Sequence, residues 1–323
     1  MLTEDERMAR KLIIDTDPGV DDAMAILFAM QSPQLDVIGL TTTFGNVCVE
    51  RATENALILA ELGNSTAPVA QGVSVPLQMP PKPHAEAVHG DDGLGNIHWP
   101  ASQRKPLSLS AAEFIIEQVR TNPGQVTLIA LGPLGNLAQA LTLDPQIADL
   151  VDEVILMGGA AQTFGNMSPV AEANIFNDPH AADQVFTAPW KVTMIGLDVT
   201  HQVLLTNTRL MRIQQNNPKI GDFLYRSAQF YIDFYRNLHG VDGCYFHDAS
   251  TIAYALDPSL FKVEPAAIRV ACEGIASGQT IVCPKGMSFP EPHWDNLPLV
   301  DVCMQVDSER MLDLFEQTLS QTQ

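Results

Sequence analysis

Positive charge is scarce in this chain. Lys and Arg number 18 against 38 Asp and Glu, which leaves a formal net charge of −20 at pH 7. Such a balance argues against nucleic acid and anionic membrane as partners, because both require basic patches. Cysteine is also sparse: Cys48, Cys244, Cys272, Cys283 and Cys303 are scattered, odd in number and without CxxC spacing. A disulfide framework or a thiolate zinc site is therefore not expected, and a reducing cytoplasm fits best. No apolar run reaches the roughly 18 residues that suggest a membrane span. Residues 1–10 are polar and charged, lack an apolar core, and read as a tail rather than a signal peptide.

What is present is the composition of a well-packed enzyme, 46% hydrophobic and 17% charged over 323 residues. At that size a single fold buries roughly 75% of its unfolded surface. Strand and helix signals alternate. Apolar runs at 12–14, 37–42, 126–131, 154–157 and 192–197 read as buried strands, with further strands near 268–272 and 300–306. Helical spacing covers 23–30, 49–62, 134–141, 178–186, 222–238, 247–256 and 308–319. Ser110 and Glu113 have capping-box form and start a helix to about Arg120. The pattern predicts an α/β fold with a mainly parallel, Rossmann-like sheet covered by helices on both faces. No linker or repeat interrupts it, so residues 11–323 are expected to form one catalytic domain. The polar turns that follow the strands place the site at their carboxyl ends.

The most informative of these turns is Asp15-Thr16-Asp17-Pro18-Gly19-Val20-Asp21-Asp22. Four carboxylates crowd a strand-to-helix turn and would repel one another unless something positive sat among them. Asp oxygens suit a hard divalent cation such as Ca²⁺ or Mg²⁺. A lone Asp at this place would read as a helix cap, but four together do not. An Asp-x-Asp after an apolar strand also opens the aspartyl-phosphate phosphatases of the haloacid dehalogenase type. Gly19 and the following Asp pair depart from that pattern.

Other segments carry candidate chemistry. His247-Asp248 opens a helix after a Gly-rich loop; Asp248 is either a distant ligand or a cap, and His247 either a proton donor or a surface residue. Asn166, Glu172 and Asn174 lie in a polar stretch with groups that grip sugar hydroxyls, and Asn46 lies at a strand end. His89 sits in a Gly-hinged loop of lid character. His84, five residues earlier, does not make a zinc pair with it.

The segments Asp15 to Ala23, Thr43-Phe44-Gly45-Asn46, His89-Gly90 with Gly93-Leu94-Gly95, Leu131-Gly132-Pro133-Leu134-Gly135-Asn136, Met157-Gly158-Gly159, Gly165-Asn166 with 169–174, and His247-Asp248 occur in one order over most of the chain. In that series the chain resembles the inosine-uridine-preferring nucleoside hydrolases. The resemblance implies hydrolysis of the N-glycosidic bond of ribonucleosides, with pyrimidine nucleosides or inosine and uridine as substrates. It implies a Ca²⁺ held by Asp17, Asp22, Asp248 and the Leu131 carbonyl, with Asp21 as general base. Asn46, Asn166, Glu172 and Asn174 would bind ribose, His247 would lie by the base, and His89 over it. A homo-oligomer, dimer or tetramer, is expected on the same ground. Two departures are visible: Ala173 stands where Phe is common, implying a roomier wall, and Leu131 where some members have Thr. The rivals are the Mg²⁺ phosphatase and a non-enzymatic nucleoside or ribose binding protein.

Overall fold

Short apolar runs bounded by Gly, Pro and Asp turns form the strands, and amphipathic or wholly apolar stretches between them form the helices. The computed structural model describes residues 9–321. It opens with β1 (Arg10–Thr16), α1 (Val20–Gln31), β2 (Leu35–Thr42), α2 (Val49–Leu62), β3 (Val69–Gln71) and the short α3 (Glu86–His89). Next come α4 (Ala111–Thr121), β4 (Val126–Ala130), α5 (Gly135–Leu143), β5 (Glu153–Met157), α6 (Ala173–Asn177), α7 (Pro179–Thr187) and β6 (Val192–Ile195). The remainder is α8 (Leu197–Thr200), β7 (Leu204–Leu205), α9 (Asn207–Asn216), α10 (Pro218–His239), β8 (Cys244–Tyr245), α11 (Ala249–Leu256), β9 (Phe261–Val270), β10 (Thr280–Pro284), β11 (Val300–Val306) and α12 (Ser308–Leu319).

One 9-stranded sheet runs in the order β10-β9-β11-β6-β5-β4-β1-β2-β3. Every pairing from β11 across to β3 is parallel, whereas β9 is antiparallel to both its neighbours. Alternate residues of each strand face opposite sides. Leu12, Ile14, Ile129 and Ile155 join a core under α1, α10, α11 and α12, while Ile13, Leu128, Val154 and Met194 join a second core under α4, α5 and α7. The mainly parallel sheet covered on both faces is thus as expected.

The chain runs outward from β1 to β2 and β3, then returns to lay β4 on the other side of β1. This reversal opens a crevice beyond the carboxyl ends of β1 and β4, where open α/β sheets bind ligands. Asp17 follows β1 and Leu131 follows β4, so both reach that crevice.

Some boundaries differ from expectation. Of the expected tail, residues 1–8 lie outside the described residues, and Arg10 already belongs to β1. The strand expected near 268–272 begins at Phe261, because Lys262, Val263, Glu264 and Pro265 are exposed and hide the apolar signal. The expected helix at 247–256 starts at Ala249. The Ser110–Glu113 capping box is present, with Glu113 N–H donating to Ser110 Oγ at 3.3 Å and Ser110 N–H to Glu113 Oε2 at 3.0 Å. Such a cap contributes about 1 kcal/mol.

Candidate active site

Three residues, Asp17, Pro18 and Gly19, connect the central strand β1 to α1. Asp17 is 1% exposed; its Oδ2 accepts the Asn46 N–H at 2.6 Å, and its Oδ1 has no partner among the described residues. Two glycines let neighbouring loops close on it. A Cβ on Gly45 would fall 2.0 Å from Asp17 Oδ2, and one on Gly132 would fall 2.5 Å from Oδ1. Asp22 accepts the Thr16 hydroxyl, the Gly19 N–H at 3.0 Å and Asn46 Nδ2 at 3.0 Å. Its bond to Gly19 closes the start of α1, so a helix-end role accompanies its place in the cluster.

Asp21 Oδ2 accepts the Tyr231 phenol at 3.0 Å, and its Oδ1 is buried without a partner. His89 Nδ1 lies 3.8 Å from that Oδ1 but accepts the Val20 N–H at 3.2 Å. The nitrogen therefore carries no proton toward Asp21, and burial holds the His89 pKa down at about 4. Asp248 stands at the start of α11, yet its side chain makes no capping hydrogen bond. Oxygens of Asp21, Asp22 and Asp248 lie within 4.8 Å of one another. Asp17 is outside that trio, although its charge acts on Asp248.

Burial, and then the other carboxylates, hold Asp17 and Asp248 well above the usual carboxylate range. Burial pushes Asp21 up to about 6, and burial with the Asp21 charge raises Asp22. These groups form no ion pair with Lys or Arg among the described residues. Orphaned oxygens, mutual repulsion and an all-oxygen donor set fit a hard divalent cation.

Beside the carboxylates lies a cavity of about 310 Å³. Asp21, Asn46, His89, Leu131 and Asn166 line it, as do Glu172, Asn174, His247 and Asp248, whereas Asp17 and Asp22 do not reach its surface. Glu172 caps α6 and accepts N–H groups of Asn174, Ile175 and Gly159 at 2.9, 3.1 and 3.0 Å. Those donors favour its ionised form, but burial outweighs them and pushes the carboxyl up to about 7. Asn174 Nδ2 donates to the Leu131 carbonyl at 2.6 Å and the Met157 carbonyl at 3.1 Å. A carbonyl has two lone pairs, so this bond leaves Leu131 a second acceptor site. Exposed Asn166 accepts the Ala173 N–H at 3.0 Å at the mouth.

Both nitrogens of His247 are engaged, Nδ1 with Thr200 Oγ1 at 2.8 Å and Nε2 with the Tyr235 phenol at 2.9 Å. Tyr235 meets the Tyr231 phenol at 3.2 Å, and Tyr231 meets Asp21. A continuous hydrogen-bonded chain thus joins Asp21 to His247. Burial, then His201 and His89, hold the His247 pKa well below its ordinary value.

Sequence reasoning did not assign Thr200, His201 or Asn136. Tyr231 and Tyr235 left one signal in the sequence: with His239 they recur every four residues along one face of α10. Asp15, left without a role, proves to hold the framework. Its Oδ1 accepts Thr41 Oγ1 at 2.6 Å and Asn136 Nδ2 at 2.7 Å, and Asn136 also bonds the Thr42 carbonyl and the Val73 N–H, both at 2.9 Å. The loop carrying His89 is closely tied: Asn55 Nδ2 donates to the Pro18 carbonyl at 3.1 Å and to the Asp92 carbonyl at 2.9 Å.

A cavity walled by carboxylates and amides, with no Lys or Arg among its lining residues, suits a polyol on which positive charge develops and does not suit a phosphate. Such a lining makes this cavity a candidate site for glycosidic-bond hydrolysis.

Comparison with known proteins refines that class. Residues 12–313 match the family model described as inosine-uridine preferring nucleoside hydrolase. A probable uridine nucleosidase 2 of Arabidopsis thaliana is 42% identical over 316 residues, covering 97% of this chain and 98% of that protein. A solved plant nucleoside hydrolase superposes with a TM-score of 0.94 at 42% identity, over 98% of this chain and 100% of the other. A purine-preferring ribonucleoside hydrolase from Gardnerella vaginalis gives 0.90 at 37% identity, over 96% and 98%. The chain belongs to the inosine-uridine preferring nucleoside hydrolase family, whose enzymes act on the N-glycosidic bond of nucleosides. The phosphatase and the non-enzymatic binding protein are thereby set aside.

Proposed function

We propose that this enzyme is a Ca²⁺-dependent ribonucleoside hydrolase that prefers uridine, other pyrimidine nucleosides or inosine. The observation that carries the reading is the lining of the cavity, where the carboxylates of Asp21, Glu172 and Asp248 meet a hydrogen-bonded chain that runs from Asp21 through Tyr231 and Tyr235 to His247. N-glycosidic cleavage passes through an oxocarbenium-like sugar, as cleavage of O-glycosides does. Asp21 takes the proton of the water that attacks the anomeric carbon. Asn46, Asn166, Glu172 and Asn174 hold the ribose, and the buried acidic wall favours its developing positive charge. The His247–Tyr235 pair supplies a proton or hydrogen bond to the departing base. Asp17, Asp22, Asp248 and the Leu131 carbonyl would hold the cation, and Asp21 lies within reach of the same centre. Polarisation of water and a grip on vicinal hydroxyls are what a bound divalent cation supplies there.

The preference for uridine and inosine is supported by the family description and the plant relative. The Gardnerella structure shows that a similar fold can prefer purines. A kinetic panel of uridine, cytidine, inosine, adenosine and guanosine, each with Ca²⁺ and with Mg²⁺, tests both parts. Uridine and inosine with Ca²⁺ are expected to lead, and a larger kcat/KM for adenosine or guanosine refutes the preference. The reading also includes a cytoplasmic homo-oligomer, to be checked by light scattering.

A further inference from the structure

His201 and His247 are set by adjacent residues of one turn, since Thr200, which holds His247 Nδ1, immediately precedes His201. Their situations differ. Both nitrogens of His247 are engaged within the protein. Neither nitrogen of His201 makes a hydrogen bond among the described residues, although its ring lines the cavity. Aromatic contacts fix that ring, with centroid distances of 4.7 Å to Tyr245 and 5.5 Å to His247. Asp198, one turn earlier, is not a competing partner: its two oxygens accept the Ala161 and Gln162 N–H groups, each at 2.7 Å. Burial, and then the nearby His239, lower the His201 pKa while Asp198 raises it, and the net direction is down. A neutral imidazole presents one N–H donor and one bare nitrogen acceptor. Its two nitrogens point apart, so one of them at a time can meet the rim of a uracil or hypoxanthine ring, the N–H toward a carbonyl oxygen or the bare nitrogen toward a ring N–H.

We propose that His201 is a base-reading residue, hydrogen-bonded through one ring nitrogen to a carbonyl or N–H group on the edge of the nucleobase. The inference rests on the nucleoside hydrolase reading of the same cavity and adds a contact beside His247. The His247–Tyr235 pair serves the departing base, and His201 adds a separate contact to the base edge. A site that hydrogen-bonds a substrate edge discriminates against a substrate lacking that edge.

The test compares uridine with p-nitrophenyl β-D-ribofuranoside, which carries the same sugar and a leaving group without a nucleobase edge. The readout is the ratio of the two kcat/KM values. His201→Phe keeps the aromatic contacts and removes both nitrogens, and the ratio is expected to fall by about ten-fold. His201→Gln, which restores a donor and an acceptor, is expected to recover much of it. A ratio that stays within about two-fold of wild type overturns the proposal. So does an equal loss on both substrates, which marks a packing role against Tyr245. If His201→Phe does not fold, His201→Leu is read by the same criterion. Failure of the underlying reading looks different, because wild-type enzyme would then release ribose from neither substrate.

Discussion

Removing the cation and raising the pH should destabilise the fold through the carboxylate cluster. Asp21 in the metal-free fold is pushed from 3.8 to about 6, and Asp17, Asp22 and Asp248 are raised as well. Each raised group keeps a proton in the folded state that the unfolded chain has already released. Metal-free stability is therefore highest below the unfolded carboxylate pKa and is lost as pH rises through the folded values. For Asp21 alone the loss is about 3 kcal/mol, accumulated between about pH 4 and pH 6. A bound divalent cation reverses the balance by favouring the ionised forms. The assay is thermal unfolding with chelator or with excess Ca²⁺, at pH 5 and pH 7.5. Reading the difference between the two samples cancels the titration of groups remote from the site. The stabilisation by Ca²⁺ should grow between pH 5 and pH 7.5, by roughly 5 °C or more. An equal or smaller Ca²⁺ effect at pH 7.5 would refute the reasoning.

Asp21→Asn should lower kcat by about 10²- to 10⁴-fold while calorimetry still detects Ca²⁺ binding; unchanged kcat removes Asp21 as the base. Gly132→Ala places a methyl group against Asp17 Oδ1, so Ca²⁺ affinity should fall with little change in secondary structure by circular dichroism; wild-type affinity would argue against Asp17 as a ligand. Asn136→Ala leaves Asp15, the Thr42 carbonyl and the Val73 N–H without their partner, and urea denaturation should show a loss of about 3 kcal/mol.

Much of the framework was legible because parallel strands buried on both faces are written as unbroken apolar runs, as in Leu12-Ile13-Ile14. The Asp15 to Asp22 turn was legible because four carboxylates in eight residues have no other comfortable explanation. Contacts between distant segments were not. Spacing left Asp248 open between ligand and cap, and only assembly of the sheet sets it against Asp21 and Asp22 without a capping bond. That the Tyr231 phenol reaches Asp21 depends on how α10 lies across α1, which the aromatic-rich sequence of its helix does not reveal. Five-residue α6 carries too few positions for a period to show, so Glu172 gave no sign that it would cap a helix. His201 left no local signal, since its surroundings come from β8 and the segment after it. Exposed strand residues hid the first half of β9, where alternation with charge replaces an apolar run.

The central claim is that this acidic cavity hydrolyses ribonucleosides, and direct product analysis with uridine tests it. The purified protein, supplied with Ca²⁺ in phosphate-free buffer, should release ribose and uracil in equal amounts, and Asp21→Asn should release little of either. Absence of free ribose from uridine and every other common ribonucleoside would contradict the account, as would a requirement for phosphate with ribose 1-phosphate as product.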